Sequence, residues 1–245
     1  MEAYKNLAHM YDELMDDISY GEWYNYILEI FEKRQIKPKE ILEMACGTGN
    51  LTEFFLKERY NVTCFDLSDE MLTVAYNKLR KYKNVTIRKQ DMVDFELNKT
   101  FDVVLSVCDS LNYIINYDDL VKVFKNVYKH LNKDGYFIFD INSYYKLSKI
   151  IGNNTFVNDT EEIFYVWENN FIENKNIVEF YLNFFIKEND SYLRFEEVHT
   201  QKAYKKHQII TALKEANFTN VSSFEAFTFN HPNNNSERIN FVIKK

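Results

Sequence analysis

Residues 41–52 read I-L-E-M-A-C-G-T-G-N-L-T, and this stretch decides the fold. The apolar run at its start is too short for a helix and predicts a buried strand. Gly47 and Gly49 permit backbone angles and a close approach of a ligand that a β-carbon would block. We expect a helix to begin near Asn50, with its free N–H groups and positive dipole end directed at whatever the glycine turn holds.

The glycine turn does not match the common fingerprints of dinucleotide or phosphate loops. In G-x-G-x-x-G the third glycine allows close packing of helix on strand, and Thr52 occupies that place here. The sequence also lacks a G-x-x-x-x-G-K-[ST] phosphate loop. A nicotinamide-dependent oxidoreductase is therefore disfavoured.

An acidic residue follows the second predicted strand. Residues 62–65 form a short apolar run that ends at Asp66. Nucleotide-binding βαβ units place an acid at about this interval after the glycine turn to accept hydrogen bonds from both ribose hydroxyls. The alternative is that Asp66 caps the next helix, although Ser68 or Asp69 could do so instead. The interval favours the ribose contact.

The order of predicted elements argues for a doubly wound α/β sheet with ligands at the carboxyl ends of its strands. Residues 101–108, F-D-V-V-L-S-V-C, form the clearest buried strand and should lie beside the first strand. The remaining predicted elements are helices within residues 1–35, a strand at 85–89, a helix from about 118 to 131, a turn at 132–135, a strand at 136–140, a helix at 207–217, and a hairpin of strands at 221–229 and 238–243.

Between residues 141 and 202, helical spacing gives way to alternating aromatic and polar residues. Three such runs predict a small antiparallel sheet inserted after the fifth strand. This sheet would lie over the carboxyl edge as a substrate lid, or else form a hydrophobic patch for dimerisation. The runs are residues 163–167, 177–187 and 192–200, and the predicted division is one domain of residues 1–140 and 203–245, with a helical cap at 1–35, and an inserted lid at 141–202.

Composition narrows the classes of function. Of the 245 residues, 46% are hydrophobic and 27% are charged, and no run of about 18 apolar residues occurs, so we expect a globular protein without a membrane span. The net charge of −7 leaves nucleic-acid binding unsupported. Three cysteines without C-x-x-C spacing predict neither a disulfide nor a zinc site. The first residues lack the apolar core of a signal peptide, so we expect a cytoplasmic protein.

Residues 43–52 resemble motif I of the class I S-adenosylmethionine-dependent methyltransferases, E-x-x-C-G-T-G-x-x-T, and residues 65–72, F-D-L-S-D-E-M-L, resemble their motif II. Gln90, Asp91 and Met92 are similar to the motif III turn, whose acid reaches the adenine amino group; a turn cap is the alternative for Asp91. The opening Y-x-x-x-A-x-x-Y-D is similar to the helical cap of a small-molecule branch, although ordinary core packing would give the same pattern. The resemblance implies a seven-stranded, mostly parallel sheet with an antiparallel last strand, and S-adenosylmethionine as cofactor. The cofactor-binding residues that it implies are Tyr11, Glu43, Ala45, Cys46, Gly47, Gly49, Asp66, Leu67, Met71, Gln90, Asp91, Met92 and Cys108.

Methyl transfer from a sulfonium is an in-line displacement, for which the protein mainly has to align the reacting atoms in a dry pocket. An amine or hydroxyl acceptor can also need a base. His199, on the last lid strand, and Tyr113, after the fourth strand, are the candidates, with a structural hydrogen bond as the alternative for His199. We expect His130 and His231 at the surface, and no metal site.

The sequence thus predicts a methyltransferase that moves a methyl group from S-adenosylmethionine to a nitrogen or oxygen of a small molecule. The alternative is a non-catalytic sensor or scaffold that binds the cofactor and acts through the aromatic insertion. The acceptor is not specified by any motif, and a homodimer is left open.

Overall fold

The computed structural model describes residues 19–245, apart from the side chain of Glu188. The first predicted helix and the opening motif at Tyr4, Ala8, Tyr11 and Asp12 lie outside the described residues. Within residues 19–245, no helix is long and apolar enough to cross a membrane. The helices are α1 (Tyr20–Arg34), α2 (Asn50–Lys57), α3 (Asp69–Leu79), α4 (Tyr117–His130) and α5 (Lys206–Glu215). The strands are β1 (Glu40–Met44), β2 (Asn61–Asp66), β3 (Val85–Lys89), β4 (Phe101–Ser106), β5 (Leu131–Asn142), β6 (Thr155–Asp159), β7 (Ile163–Ile172), β8 (Ile177–Glu188), β9 (Ser191–Lys202), β10 (Asn220–Glu225) and β11 (Arg238–Lys244).

Seven strands form the central sheet, in the order β10-β11-β5-β4-β1-β2-β3. β1 lies between β2 and β4 and runs parallel to both, with Ile41 paired to Val62 and to Val103. β11 is antiparallel to its two neighbours, β5 and β10. The predicted doubly wound sheet with a reversed last strand is confirmed. The carboxyl ends of β1, β2 and β4 consequently meet at one edge, where the glycine turn begins.

Helices cover both faces of this sheet. On one face α1, α2 and α3 bury side chains such as Ile27, Phe55 and Leu79. On the other face α4 and α5 bury side chains such as Phe124 and Leu213. Each fully buried Leu, Ile or Phe contributes about 1.5 to 3 kcal/mol relative to an exposed one, so the two layers hold the sheet edge in a fixed shape.

The junction of α4 and β5 differs from the prediction, which was a helix that ends near residue 131 and is followed by a turn at 132–135. The helix ends at His130, and β5 begins at the next residue. The pairing of β4 with β5 shifts register between Phe101 and Val103, so the predicted turn is instead the bulged start of a strand.

His130 is buried, and the expectation that it lies at the surface is wrong. Its side chain is only 2% exposed. Nε2 accepts a 3.0 Å hydrogen bond from the backbone N–H of Leu97, and Nδ1 lies 2.8 Å from the carbonyl oxygen of Asn126. The ring also packs on Phe95. The loop between β3 and β4 thus folds over the end of α4, whereas His231 is exposed as expected.

The second sheet is antiparallel throughout, in the order β6-β7-β8-β9, and follows β5 as predicted. Its edge strand β6 and a π-helical segment, Lys146–Ile151, were not predicted. On one face of the sheet, Val178 and Phe180 pack on Leu147 and Ile151 of that segment. This contact attaches the second sheet to the chain that leaves β5.

Candidate active site

The glycine turn uses its two glycines for different purposes. Gly47 has φ 54°, and a β-carbon there would meet no atom within 4 Å, because the residue faces an open cavity. Gly49 has φ 78°, and a β-carbon there would lie 2.7 Å from Cδ1 of the buried Leu79. Gly49 therefore lets the start of α2 approach α3, while Gly47 leaves room for a ligand.

Asp66 fastens the glycine turn from the end of β2. Its Oδ2 accepts a 2.8 Å hydrogen bond from the N–H of Gly47, and its Oδ1 accepts a 3.0 Å bond from the N–H of Ser68. The cap of α3 is Ser68, whose hydroxyl accepts from the N–H of Met71, so Asp66 is not the helix cap. Burial raises the pKa of Asp66, and these N–H donors oppose that rise. A carboxylate has about four lone-pair sites, so two remain for a ligand.

Glu43 lies beneath the turn, at the end of β1. The hydroxyl of Thr52 donates a 2.5 Å hydrogen bond to its Oε2, and both side chains are buried. Burial raises the pKa of Glu43 to about 7, with the Thr52 hydrogen bond opposing and the charge of Asp66 adding to the rise. Neutral and ionised forms of Glu43 are therefore both populated near neutral pH.

A cavity of about 460 Å³ opens at the carboxyl edge of the sheet, within the size range of cofactor sites. Of the residues predicted to bind the cofactor, Gly49 does not line the cavity, and Tyr11 lies outside the described residues. The predicted residues that line it are Glu43, Ala45, Cys46, Gly47, Asp66, Leu67, Met71, Gln90, Asp91, Met92 and Cys108. Lining residues that the sequence did not indicate include Ser68, Val93, Ile114, Ile115, Asn116 and Asp119.

Asp91 has a structural role besides its position in the cavity wall. Its Oδ1 accepts a 2.9 Å hydrogen bond from the N–H of Val93, and its carbonyl oxygen accepts from the N–H of Asp94. Asp91 thus caps a turn, which was the alternative role that the sequence allowed for it. The turn leaves the second carboxylate oxygen of Asp91 able to accept from a ligand.

The chain leaving β4 is strained and tightly held. Cys108 and Asp109 both have left-handed backbones, with φ 57° and 52°. The Asp109 carboxylate accepts from Arg238 at 2.8 Å, and Arg238 also pairs with the fully buried Asp140. Burial raises the pKa of Asp140 to about 6, with Arg238 opposing that rise. Sequence analysis did not predict this ion-pair network.

The two predicted catalytic residues lie together. The hydroxyl of Tyr113 is 3.4 Å from Nδ1 of His199, and the rings meet edge to face. Tyr113 lines the cavity, whereas His199 lies behind it on β9, with a side chain 5% exposed. Burial lowers the pKa of His199 to about 4, so the imidazole is neutral at pH 7. A neutral imidazole can accept a proton.

Comparisons with known proteins point in the same direction as the site. The model of a methyltransferase domain family matches residues 41–135. A predicted methyltransferase of Geobacillus sp. (strain WCH70) is 36% identical over 99% of this chain and 100% of its own length. The crystal structure of an S-adenosylmethionine-dependent methyltransferase from Clostridium acetobutylicum ATCC 824 is 39% identical, with a TM-score of 0.89 and 98% of each chain covered. A dTDP-4-amino-2,3,4,6-tetradeoxy-D-glucose N,N-dimethyltransferase of Saccharopolyspora spinosa is 33% identical over 44% of this chain and 43% of its own length.

Proposed function

The chain belongs to the S-adenosylmethionine-dependent methyltransferases, and we propose that it methylates a nitrogen or oxygen atom of a small molecule in the cytoplasm. Its similarity, over 44% of its length, to a dTDP-4-amino-2,3,4,6-tetradeoxy-D-glucose N,N-dimethyltransferase supports a small-molecule acceptor. The free thiols of Cys46, Cys64 and Cys108 suit a reducing compartment. As a methyltransferase it is an enzyme, which leaves no support for the non-catalytic sensor or scaffold.

The charge of the cavity wall carries the assignment of the cofactor site. Glu43, Asp66, Asp91 and Asp119 line the cavity, and none of the described lining residues is Lys or Arg. Such a wall fits a cationic sulfonium better than the pyrophosphate of a dinucleotide. When bound, S-adenosylmethionine supplies a methyl group that its sulfonium has already activated for displacement.

The cavity residues divide the binding task by their chemistry. Asp66 would accept hydrogen bonds from the ribose hydroxyls, and Asp91 would accept one from the adenine amine. Met71 and Met92 offer polarizable apolar walls to the adenine ring. Gly47 keeps the backbone close to the ligand, and Cys108 forms the wall that leads to the strained turn. The donor and acceptor groups present therefore fit the cofactor.

The acceptor would bind beneath the second sheet, the lid of residues 141–202, beside Tyr113. Aligning the nucleophile with the methyl carbon and sulfur can supply about 7 to 11 kcal/mol of the barrier without a fixed triad. Tyr113 and His199 would take the proton that an amine or hydroxyl releases, because the phenol lines the cavity and the His199 ring lies within reach of it. The burial that keeps His199 neutral at pH 7 also makes it a weaker base than an exposed histidine. These assignments make residues 1–140 and 203–245 the catalytic domain.

Calorimetric titration of S-adenosylmethionine and S-adenosylhomocysteine tests the site. Asp66→Ala should weaken binding of both ligands by about 1.5 to 3 kcal/mol, since it removes hydrogen bonds to a charged group. Asp69→Ala is the matched control, because Asp69 is exposed at the start of α3, three residues after Asp66, and its side chain pairs with the surface Lys89. Equal affinities for Asp66→Ala and wild type would refute the ribose assignment.

The acceptor class is tested separately, with methyl-labelled S-adenosylmethionine and a library of small amines, alcohols and carboxylic acids. Transfer of label to an amine or hydroxyl would support the proposal. Transfer only to a protein or to RNA, in a parallel assay with cell extracts, would overturn the assignment of a small-molecule acceptor.

A further inference from the structure

Asp109 is held from three directions by elements that lie far apart in the sequence. Its backbone N–H donates a 3.0 Å hydrogen bond to Oδ2 of Asp140, at the end of β5. Its Oδ1 accepts from Arg238 of β11 at 2.8 Å. Its Oδ2 accepts a 2.7 Å bond from Nε2 of Gln201, on β9 of the lid. One residue thus connects the central sheet, the turn after β4 and the lid.

The turn that Asp109 belongs to needs such support. Cys108 and Asp109 both adopt left-handed backbones, which residues with a β-carbon adopt only at a conformational cost. Cys108 lines the cofactor cavity, and the same segment continues through Ser110 to Tyr113, which also line it. Whatever fixes Asp109 therefore fixes one wall of the cavity.

Gln201 is the residue of the lid that binds the side chain of Asp109. Its side chain is 2% exposed and does not line the cavity. A second set of hydrogen bonds lies beside it. The side-chain amide of Asn112 donates to the carbonyl oxygen of Lys202, at 2.9 Å, and to that of Asn142, at 3.2 Å. The end of β9 is consequently bonded to both ends of the segment that runs from Asp109 to Asn112.

We propose that Gln201 is a positioning residue that couples the lid to the cofactor-binding turn through Asp109. The docked lid holds Asp109, Asp109 holds the strained turn, and the turn shapes the cofactor wall at Cys108. Coupling of this kind is reciprocal, so cofactor binding also stabilises the docked lid. This proposal rests on the cofactor site proposed above.

The first test compares binding of S-adenosylhomocysteine to wild type and to Gln201→Leu. This change keeps a side chain of similar size but removes both the Nε2 donor to Asp109 and the Oε1 that accepts a 3.4 Å hydrogen bond from Asn142. Affinity should fall by roughly 5-fold to 150-fold, the usual range for coupled sites, although Gln201 does not touch the cavity. Glu196→Gln is the control, because Glu196 is exposed on the other face of the same strand and pairs with Arg194. Unchanged affinity in Gln201→Leu would overturn the coupling.

A double-substitution cycle tests the route. With Asp109→Ala, which removes both carboxylate oxygens, as the second change, the effects on affinity should be clearly less than multiplicative, because both substitutions break the hydrogen bond between Gln201 and Asp109. Independent, multiplicative effects would contradict a route through Asp109.

Hydrogen exchange tests the coupling in the wild-type protein, so the result does not depend on whether a substituted protein folds. Saturating S-adenosylhomocysteine should slow amide exchange at residues 199–202, although none of them lines the cavity. Bound ligand with unchanged exchange at the end of β9 would overturn the coupling and leave the cofactor site standing. Failure of wild type to bind the ligand would overturn both.

Discussion

The hydroxyl of Thr52 donates a 2.5 Å hydrogen bond to Oε2 of Glu43, which links the first turn of α2 to the end of β1 beneath the glycine turn. Thr52 occupies the position of the third glycine in a dinucleotide fingerprint, and at this position its hydroxyl binds the buried Glu43. Glu43 is buried, and burial raises its pKa to about 7. The hydroxyl is a donor that stabilises the ionised form of this carboxyl group.

Thr52→Val should therefore destabilise the protein more at pH 8 than at pH 5. The pKa of Glu43 is raised in the folded state, so its contribution to stability is fully present below about pH 4.5 and is lost as pH rises through about 7. Without the Thr52 donor the buried carboxylate costs about 1 to 3 kcal/mol more at pH 8, whereas at pH 5 it is protonated. Urea unfolding at the two pH values measures the difference. Thr52→Ser keeps the donor and should behave like wild type; an equal loss at both pH values for Thr52→Val would contradict this account.

Substitution of Gly47 should mainly reduce the affinity for the cofactor, whereas substitution of Gly49 should mainly reduce the stability of the protein. Gly49→Ala forces a β-carbon to within 2.7 Å of the buried Leu79 at φ 78°, so we expect a loss of about 1 to 3 kcal/mol in unfolding free energy. Gly47→Ala has free space around its β-carbon and should lose about 1 kcal/mol, but it puts a methyl group at the cavity wall. Thermal unfolding and calorimetric titration of S-adenosylhomocysteine measure the two effects. The reverse ranking, with cofactor affinity lost chiefly in Gly49→Ala, would show that the roles are misassigned.

The elements that sequence analysis predicted correctly are those whose residues are buried in a regular pattern. β4 is one example, since its short, near-continuous run of apolar and β-branched residues is typical of a strand covered on both faces. β6 is the counterexample: all five of its residues are exposed, and as an edge strand of the second sheet it has no pattern of burial to detect. The start of β5 was missed because Asn132 and Gly135 are turn residues by preference, and only pairing with β4 makes them a bulged strand.

The parts of the site that sequence analysis missed depend on contacts between distant residues. Arg238 lies 98 positions from Asp140 and 129 from Asp109, and no local pattern links them. A signal was present, however, because an acid at the end of a buried strand requires a partner. His130 gave no such signal, since its partner is a backbone N–H in the loop at Leu97.

Arg238→Leu should unfold far more easily at pH 8 than at pH 5.5. Removing one partner of a buried ion pair costs about 3 to 5 kcal/mol, since Asp140 would keep an uncompensated charge. Burial raises the pKa of Asp140 to about 6, and without Arg238 it rises further, so protonation relieves the penalty as pH falls. The control is Arg194→Leu, which removes an exposed arginine of the second sheet and should cost at most about 1 kcal/mol. Denaturant unfolding at pH 8 and at pH 5.5 measures the loss of unfolding free energy in Arg238→Leu. An equal loss at both pH values would show that the penalty does not come from a buried negative charge on Asp140.

His199→Asn should lower kcat of methyl transfer by about 10²-fold to 10⁴-fold while leaving the affinity for S-adenosylhomocysteine unchanged, because the contact of His199 is with the phenol of Tyr113 and not with Asp109, which holds the cofactor-binding turn. Burial lowers the pKa of His199 to about 4 in the folded protein, so the imidazole stays able to accept a proton throughout the range from pH 5 to 8. The stability that this lowered pKa contributes is present above about pH 6.5 and is lost as pH falls through about 4.

The measurement is the pH dependence of initial rates of methyl transfer to an acceptor found in the library. In wild type the acid limb should lie near pH 4 to 5, well below the 6.5 of an exposed histidine. Tyr113→Phe should reduce kcat as well, since it breaks the link between acceptor and imidazole, and the double variant should be little worse than His199→Asn. His207→Asn changes an exposed histidine of α5 and should match wild type. An acid limb near pH 6.5 that survives in His199→Asn would assign the proton to another group and leave His199 a structural role, because a base that is removed takes its titration with it.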